Sequence, residues 1–233
     1  HIAAPVSDCQ LAGKLNTDRA TVRRQLDRLV RSACDAGFAV SVGGEDASRA
    51  DPSFLAEVLD TVQAAGAQHF RFADTLGVLE PFRTRELFAW LSARSDLPLE
   101  MHAHDDLGLA TATSLAAVVG GAGYVSVTVT GLGERAGNAP LEEVALALAT
   151  RHDTATGIDT TALPGLAQRV AAAAGRPIPP DKAVVGEHAF SHESGIHVHG
   201  LLRDPNTYTG IDPARVGRAH TLVLGKHSGA AGV

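Results

Sequence analysis

Short β-type runs recur through the first 150 residues, at Ile2–Val6, Phe38–Val42, His69–Ala73, Leu97–His102 and Tyr124–Val129, with helical patterns between them. Val22, Leu26, Leu29, Val30 and Ala33 form one apolar helical stripe closed by Gly37. Asp51 reads as an N-cap with Pro52 at the first helical position, ahead of Phe54, Leu55, Val58, Leu59 and Val62 and a stop at Gly66. A third pattern covers Leu87, Phe88 and Leu91, and a fourth runs from Leu109 to Val119 before Gly120-Gly121. Such alternation predicts βα units on a parallel sheet, either doubly wound or a (β/α)8 barrel. Polar groups follow the runs at Ser7-Asp8, Glu45-Asp46, Asp74-Thr75, His102/His104 and Glu134-Arg135. A barrel gathers all such strand ends on one face, whereas a doubly wound sheet would gather them only at one crevice, and no Gly-rich phosphate fingerprint marks one here. The expected fold is therefore α/β, the C-terminal five strands of a (β/α)8 TIM barrel, with three strands upstream of His1.

Beyond the fifth run the pattern changes. Asn138-Ala139-Pro140 opens a helix through Leu148, a second spans Leu163 to Ala174, and Gly175 to Pro180 reads as a linker. We read residues 1–150 as barrel, 151–180 as a helical linker and 181–233 as a small, truncated, appended subdomain that docks back on the barrel. A 45% hydrophobic chain can bury a sizeable core, and a net charge of -6 gives no footprint for nucleic acid. No apolar run approaches 18 residues and no charged-then-apolar leader opens the chain, so neither a membrane span nor export is expected. Cys9 and Cys34 form no CxxC, which suits structural thiols in a cytoplasmic protein.

The chemistry centres on Met101-His102-Ala103-His104-Asp105-Asp106-Leu107-Gly108. His-x-His at a strand end sends both imidazoles to one face, within reach of one cation, with carboxylates behind to orient them. A strand end that merely faces solvent is the plainer alternative. The best third ligand is Asn138 in Gly131-Leu132-Gly133-Glu134-Arg135-Ala136-Gly137-Asn138, which could equally cap the Pro140 helix. Mixed N and O ligands favour a divalent Mg, Mn or Zn ion acting as a Lewis acid.

His-Ala-His-Asp-Asp-Leu-Gly-Leu-Ala-Thr-Ala, Gly-Leu-Gly-Glu-Arg-Ala-Gly-Asn and Gly-Lys-His-Ser-Gly together resemble the homocitrate synthase / 2-isopropylmalate synthase family. Glu45 to Asp51 and Arg71 to Thr75 are most similar to its nitrogen-fixation branch. The resemblance covers essentially the whole chain. It implies a metal-dependent (β/α)8 enzyme that condenses acetyl-CoA with a 2-oxo acid, here 2-oxoglutarate, to give homocitrate and CoA. By the same resemblance His102, His104 and Asn138 hold the metal, which chelates the carboxylate and keto oxygen of the 2-oxo acid beside His102. Thr75 hydrogen-bonds the substrate carboxylate, Glu45 lies beside the acetyl group, and His197 in Ser-Gly-Ile-His helps deprotonate the acetyl methyl. Tyr208 is delivered from the partner subunit of a domain-swapped homodimer. A thioester methyl is a weak acid, so a positioned base with electrophilic help makes chemical sense.

Departures from the family pattern are specific. A further aspartate ligand belongs to a first strand not present here. Asp105 and Thr113 replace asparagines, and Gly210 replaces a proline. Ser41 stands where lysine-pathway relatives carry an arginine that grips the distal carboxylate of 2-oxoglutarate. Three alternatives stay open: 2-isopropylmalate synthase with 2-oxoisovalerate, an acyl-CoA lyase, and a non-catalytic metal-binding relative. Lyases need a loop cysteine, and Gly131 to Asn138 contains none. The 233 residues alone are expected to be inactive and poorly folded, because five strands leave two open sheet edges.

Overall fold

The computed structural model describes residues 1–152 and 154–229, which divide into two compact units, one of residues 1–140 and one of the described residues from Leu141 onward. The first unit is a five-stranded parallel sheet of β1 (Ile2–Pro5), β2 (Ser41–Glu45), β3 (His69–Asp74), β4 (Leu99–Ala103) and β5 (Tyr124–Ser126), ordered as in the chain. Helices α1 (Asp8–Leu15), α2 (Arg19–Asp35), α3 (Pro52–Ala64), α4 (Pro81–Ser92) and α5 (Ala110–Val119) fill the connections. Sequential parallel order with helical crossovers is what consecutive βα units of a barrel produce. This is the expected fold: five consecutive strands of a (β/α)8 barrel.

Local sequence explains most of these elements. The Asp51 carboxylate accepts hydrogen bonds from the backbone N–H groups of Ser53 and Phe54, and Pro52 opens α3, which buries Phe54, Leu55, Val58, Leu59 and Val62. Four differences from the sequence reading have clear causes. The second strand lies three residues later than Phe38–Val42, because α2 closes through a Phe38 N–H to Ala33 carbonyl bond and leaves Phe38 68% exposed. Gly43 and Gly44 look like breakers, yet a Cβ on Gly44 would strike the Phe70 ring and one on Gly43 the His1 imidazole, so close packing favours both. Leu29 leaves the α2 stripe and faces solvent, narrowing that stripe to Val22, Leu26 and Val30. The fifth strand is only three residues long, since Thr130 takes a positive φ of 58° in a following 3-10 turn. Helix α1, capped by the Ser7 hydroxyl on Gln10 N–H, was not anticipated.

The second unit contains α6 (Leu141–Arg151), α7 (Leu163–Ala174), β6 (Ser191–His192), α8 (Gly195–Arg203) and β7 (Thr221–Leu222). Leu146, Phe190 and Val216 form a small buried cluster, with Val184, Ala189 and Ile211 packed around it. Residues 184–216 thus share a core with α6. Among the described residues, no helix is long and apolar enough to cross a membrane.

Candidate functional site

Alternation sorts the sheet into two faces. Phe70 and Phe72 of β3 are fully buried, with the Phe72 ring 5.4 Å from Phe88 of α4. His69, Arg71 and Ala73 consequently point to the helix-free face, the barrel lumen. On β4, Leu99, Met101 and Ala103 are buried toward the helices, while Glu100 and His102 join the lumen side. His104 follows just past the strand end, and its ring centroid lies 5.0 Å from that of His102. The His-x-His spacing therefore does what the sequence implied: both imidazoles sit together at the C-terminal end of the sheet.

Asn138 arrives from the loop after β5. Asn138 N–H donates to the Gly131 carbonyl, Ala139 N–H to Ala103, and Asp105 N–H to Gly137, so the loop lies against the end of β4 and pairs Asn138 opposite His104. Gly137 has a φ of 108°, a conformation that disfavours any side chain. A Cβ on Gly133 would collide with the Asn138 carboxamide. The glycines of this motif thus make room for one amide. Asn138 Nδ2 donates to the Leu132 carbonyl at 3.1 Å, which turns Oδ1 the other way. That oxygen, and Nδ1 of His104, are buried without any hydrogen-bond partner. Asn138 is not a helix cap: α6 begins three residues later, at Leu141.

The neighbouring carboxylates do not orient the histidines as expected. Asp105 accepts from Ala110 N–H at the start of α5, and Asp106 pairs with the Arg135 guanidinium at 2.8 Å. Ser126 takes the orienting part instead, with its hydroxyl 3.1 Å from His102 Nδ1, which leaves Nε2 open. Burial holds the His102 imidazole far below the usual histidine range, to about 4, with His104 and Arg71 pushing the same way. Burial, then the Arg135 charge, also lowers His104. Both rings are neutral near pH 7, the form that ligates metals. Among the described residues no group of three or more His, Cys, Asp or Glu could hold a metal ion, so a cation here would have to draw on the two imidazoles and an amide oxygen. Two orphaned buried acceptors beside a neutral imidazole fit a divalent cation, since an unpaired buried polar atom is otherwise costly.

Thr75 and Glu45 lie on the same strand-end face. Thr75 Oγ1 accepts from Asp46 N–H at 2.8 Å, leaving its own proton available to donate. Asp46 itself is buried, in a left-handed backbone conformation, and bonds to Ser7 and Arg49. Glu45 ends β2 and pairs with Lys14 at 2.8 Å. Arg135 also donates to the Thr75 carbonyl, tying together the loops after β3, β4 and β5. In the second unit His197 lies exposed on α8, its ring stacked on Tyr208 with centroids 4.2 Å apart. Thr113 is buried with its hydroxyl unbonded. The sequence reading missed Ser126, Glu100 and the role of Asp106. Period-two alternation in His-Phe-Arg-Phe-Ala-Asp and Leu-Glu-Met-His would have shown that a glutamate and an arginine share the histidine's face.

Comparison with known proteins agrees with this architecture. Residues 1–170 match the HMGL-like family, and residues 184–233 match the homocitrate synthase post-HMGL domain-like family. The chain is 51% identical over its full length to a homocitrate synthase of Frankia alni and 49% identical over 98% of its length to homocitrate synthase 1 of Nostoc sp.. It is also 48% identical over 99% of its length to 2-isopropylmalate synthase 2 of Caldanaerobacter subterraneus. It spans 66%, 61% and 60% of those proteins' lengths, respectively. The fold is similar to that of hydroxymethylglutaryl-CoA lyase from Pseudomonas aeruginosa (TM-score 0.66, 24% identity, 75% of this chain and 62% of that one). The HMG-CoA lyase of Bacillus subtilis gives a TM-score of 0.67 at 19% identity, over 76% of this chain and 63% of that one. With its sheet order, its strand-end histidines and these two consecutive matches, the chain belongs to the HMGL-like family, within the homocitrate synthase / 2-isopropylmalate synthase group.

Proposed function

We propose that the native protein carrying these residues condenses acetyl-CoA with 2-oxoglutarate, giving homocitrate and CoA with the help of a divalent metal. One observation carries this reading: His104 Nδ1 and Asn138 Oδ1 are buried, unbonded and brought together beside a neutral His102. In this proposal His102, His104 and Asn138 hold Mg, Mn or Zn, which when bound supplies electrophilic polarisation of the keto group. The Thr75 hydroxyl donates to the substrate carboxylate. Glu45 lies toward the acetyl group, its charge balanced by Lys14. His197 takes a proton from the acetyl methyl, and Tyr208 steadies the His197 ring by stacking on it. The new carbon–carbon bond joins that methyl carbon to the keto carbon, and water then cleaves the thioester to release CoA.

We further propose that residues 181–233 form an appended subdomain which serves the barrel of a partner copy in a homodimer. Because His197 and Tyr208 stack within one chain, the subunit that delivers one delivers both. The free thiols Cys9 and Cys34 accord with a cytoplasmic setting. Condensation with 2-oxoisovalerate is the second reading, favoured by the 48% identity to a 2-isopropylmalate synthase.

The test is acetyl-CoA-dependent thiol release by the native protein, with 2-oxoglutarate, 2-oxoisovalerate or pyruvate, before and after chelation and re-addition of Mn or Mg. Metal-dependent release with a preference for 2-oxoglutarate is expected. Silence with all three acceptors, from folded and metal-loaded protein, would refute the condensation. Expressed alone, the 233 residues are expected to release no CoA and to melt without a sharp cooperative transition.

A further inference from the structure

Directly beneath the strand-end histidines, the lumen carries a polar layer that the proposed chemistry does not use. Ala3, Gly43, Arg71, Glu100 and Tyr124 pair in register across β1 to β5. One step nearer the strand ends, Ala73, His102 and Ser126 form the next layer. Arg71 is held from one side. Its Nε and Nη2 lie 2.9 and 2.8 Å from Glu100 Oε1, and Glu100 Oε2 lies 3.1 Å from His69 Nε2, whose ring stacks on Tyr124. Glu100 is only 6% exposed, so this anchor is fixed. On the other side stand Gly43 and Ala3, with the His1 imidazole over Gly43 and tied to the Ser41 hydroxyl. Among the described residues Arg71 Nη1 has no hydrogen-bond partner. A guanidinium held along one edge, with its other edge facing small residues, is a preformed half of a bidentate carboxylate site.

We infer that Arg71 is the specificity-determining residue of this site, receiving the distal carboxylate of a dicarboxylic 2-oxo acid whose keto end lies at His102. The inference rests on the condensation proposed above and names what selects its acceptor. The dimensions agree. Two residues along a strand drop about 6.6 Å from the His102 layer to the Arg71 layer, and an extended five-carbon skeleton spans about 5 Å. Ser41 cannot take this part, because it begins β2 at the end far from Glu45 and its short hydroxyl is bonded to His1. A branched aliphatic acceptor would press methyl groups on the guanidinium and form no ion pair, so the site discriminates against it. Glu100 is a positioning residue: it fixes the fork by pairing with the Arg71 guanidinium.

The test compares binding of 2-oxoglutarate with that of 2-oxovalerate, which has the same five-carbon skeleton ending in a methyl group. Calorimetry on the metal-loaded native protein is expected to show 2-oxoglutarate bound about 100-fold more tightly, as loss of a charge-assisted bidentate pair implies. The double variant Arg71→Gln/Glu100→Gln removes both charges together and leaves neither buried alone, and it should reduce that ratio to about 3. Arg71→Lys, which keeps the charge and loses the fork, should fall between the two. A wild-type ratio below about 5, or a ratio that survives in the double variant, would overturn the assignment. Thiol release separates this from failure of the condensation itself. A binding preference without release would refute the condensation and keep the Arg71 assignment, whereas release that favours 2-oxoisovalerate would do the reverse.

Discussion

Residues 1–140 and 141–229 each hold a histidine of the candidate site, His102 as a metal-type donor and His197 as the proton-transfer group, and they do so by different physical means. His102 lies in a strand hydrogen-bonded on both sides, with its backbone fixed by β3 and β5 and its neighbours Met101 and Ala103 fully buried. His197 sits exposed on a nine-residue helix, its ring stacked on Tyr208 and edge-on to His192 with centroids 6.2 Å apart. The first unit buries Phe54, Phe70, Phe72 and Phe88 completely, whereas the described residues of the second bury mainly aliphatic side chains, among them Val144, Leu146, Leu163, Ala167 and Val216, with Phe190 beside them. A strand-borne group is thus placed by the whole sheet, and a group on a small appended unit by a few contacts. The metal-type donors belong to the rigid frame. The proposed proton-transfer group belongs to the less deeply packed one.

The largest expected effect tests the rigid frame. His102→Ala should lower thiol release by more than about 100-fold, beyond what loss of an outer partner of a metal ligand costs. Metal content should fall while the thermal midpoint of metal-free protein holds, because the frame does not need that side chain to fold. Metal analysis and a melting curve check both, and retained activity would remove His102 from the site. The next effect tests the smaller unit. Phe190→Ala should destabilise it by about 3 kcal/mol through loss of packed ring area. Hydrogen exchange should then rise across residues 184–216 and stay slow in β2 to β4. Uniform loss of protection would mean that the two units unfold together and that the contrast drawn here is wrong.

A pH titration sharpens the comparison further. The His102 imidazole is lowered from 6.5 to about 4 in the folded chain, so between those values the unfolded chain binds a proton that the folded chain refuses. The stability gained by keeping it neutral is complete above pH 6.5 and is lost as pH falls toward 4. Metal-free protein should therefore show a falling urea midpoint through this window, and His102→Ala should flatten the fall. His104 contributes in the same direction. The smallest effect belongs to Asp105, whose carboxylate caps α5 on Ala110 N–H. Asp105→Asn keeps that acceptor, so stability should change by less than about 0.5 kcal/mol and activity by less than twofold.

How legible the molecule was depended on the range of each interaction. Asp51-Pro52 announced α3, and the boundaries of the Leu163–Ala174 helix could be read from its apolar spacing, since caps and stripes are local. The second strand was misplaced because Gly43 and Gly44 carry no local strand signal; Gly44 makes room for the Phe70 ring on the next strand, and Gly43 for the His1 imidazole. The His-x-His pair and Asn138 were found together. Their orienting partner was not: proximity in sequence pointed to Asp105 and Asp106, yet Ser126 lies beside His102 only because β5 pairs with β4.

The sequence by itself determined the βα rhythm, the two histidines on one face and the glycine motif that carries Asn138, since each depends on backbone periodicity or on single-residue conformational limits. Tertiary structure alone decided which polar atoms are left without partners, how far burial suppresses the His102 charge, and that Arg71 is anchored by Glu100 beneath the site. Those properties depend on desolvation and on register between strands about 30 residues apart in the chain, and no local pattern encodes either one.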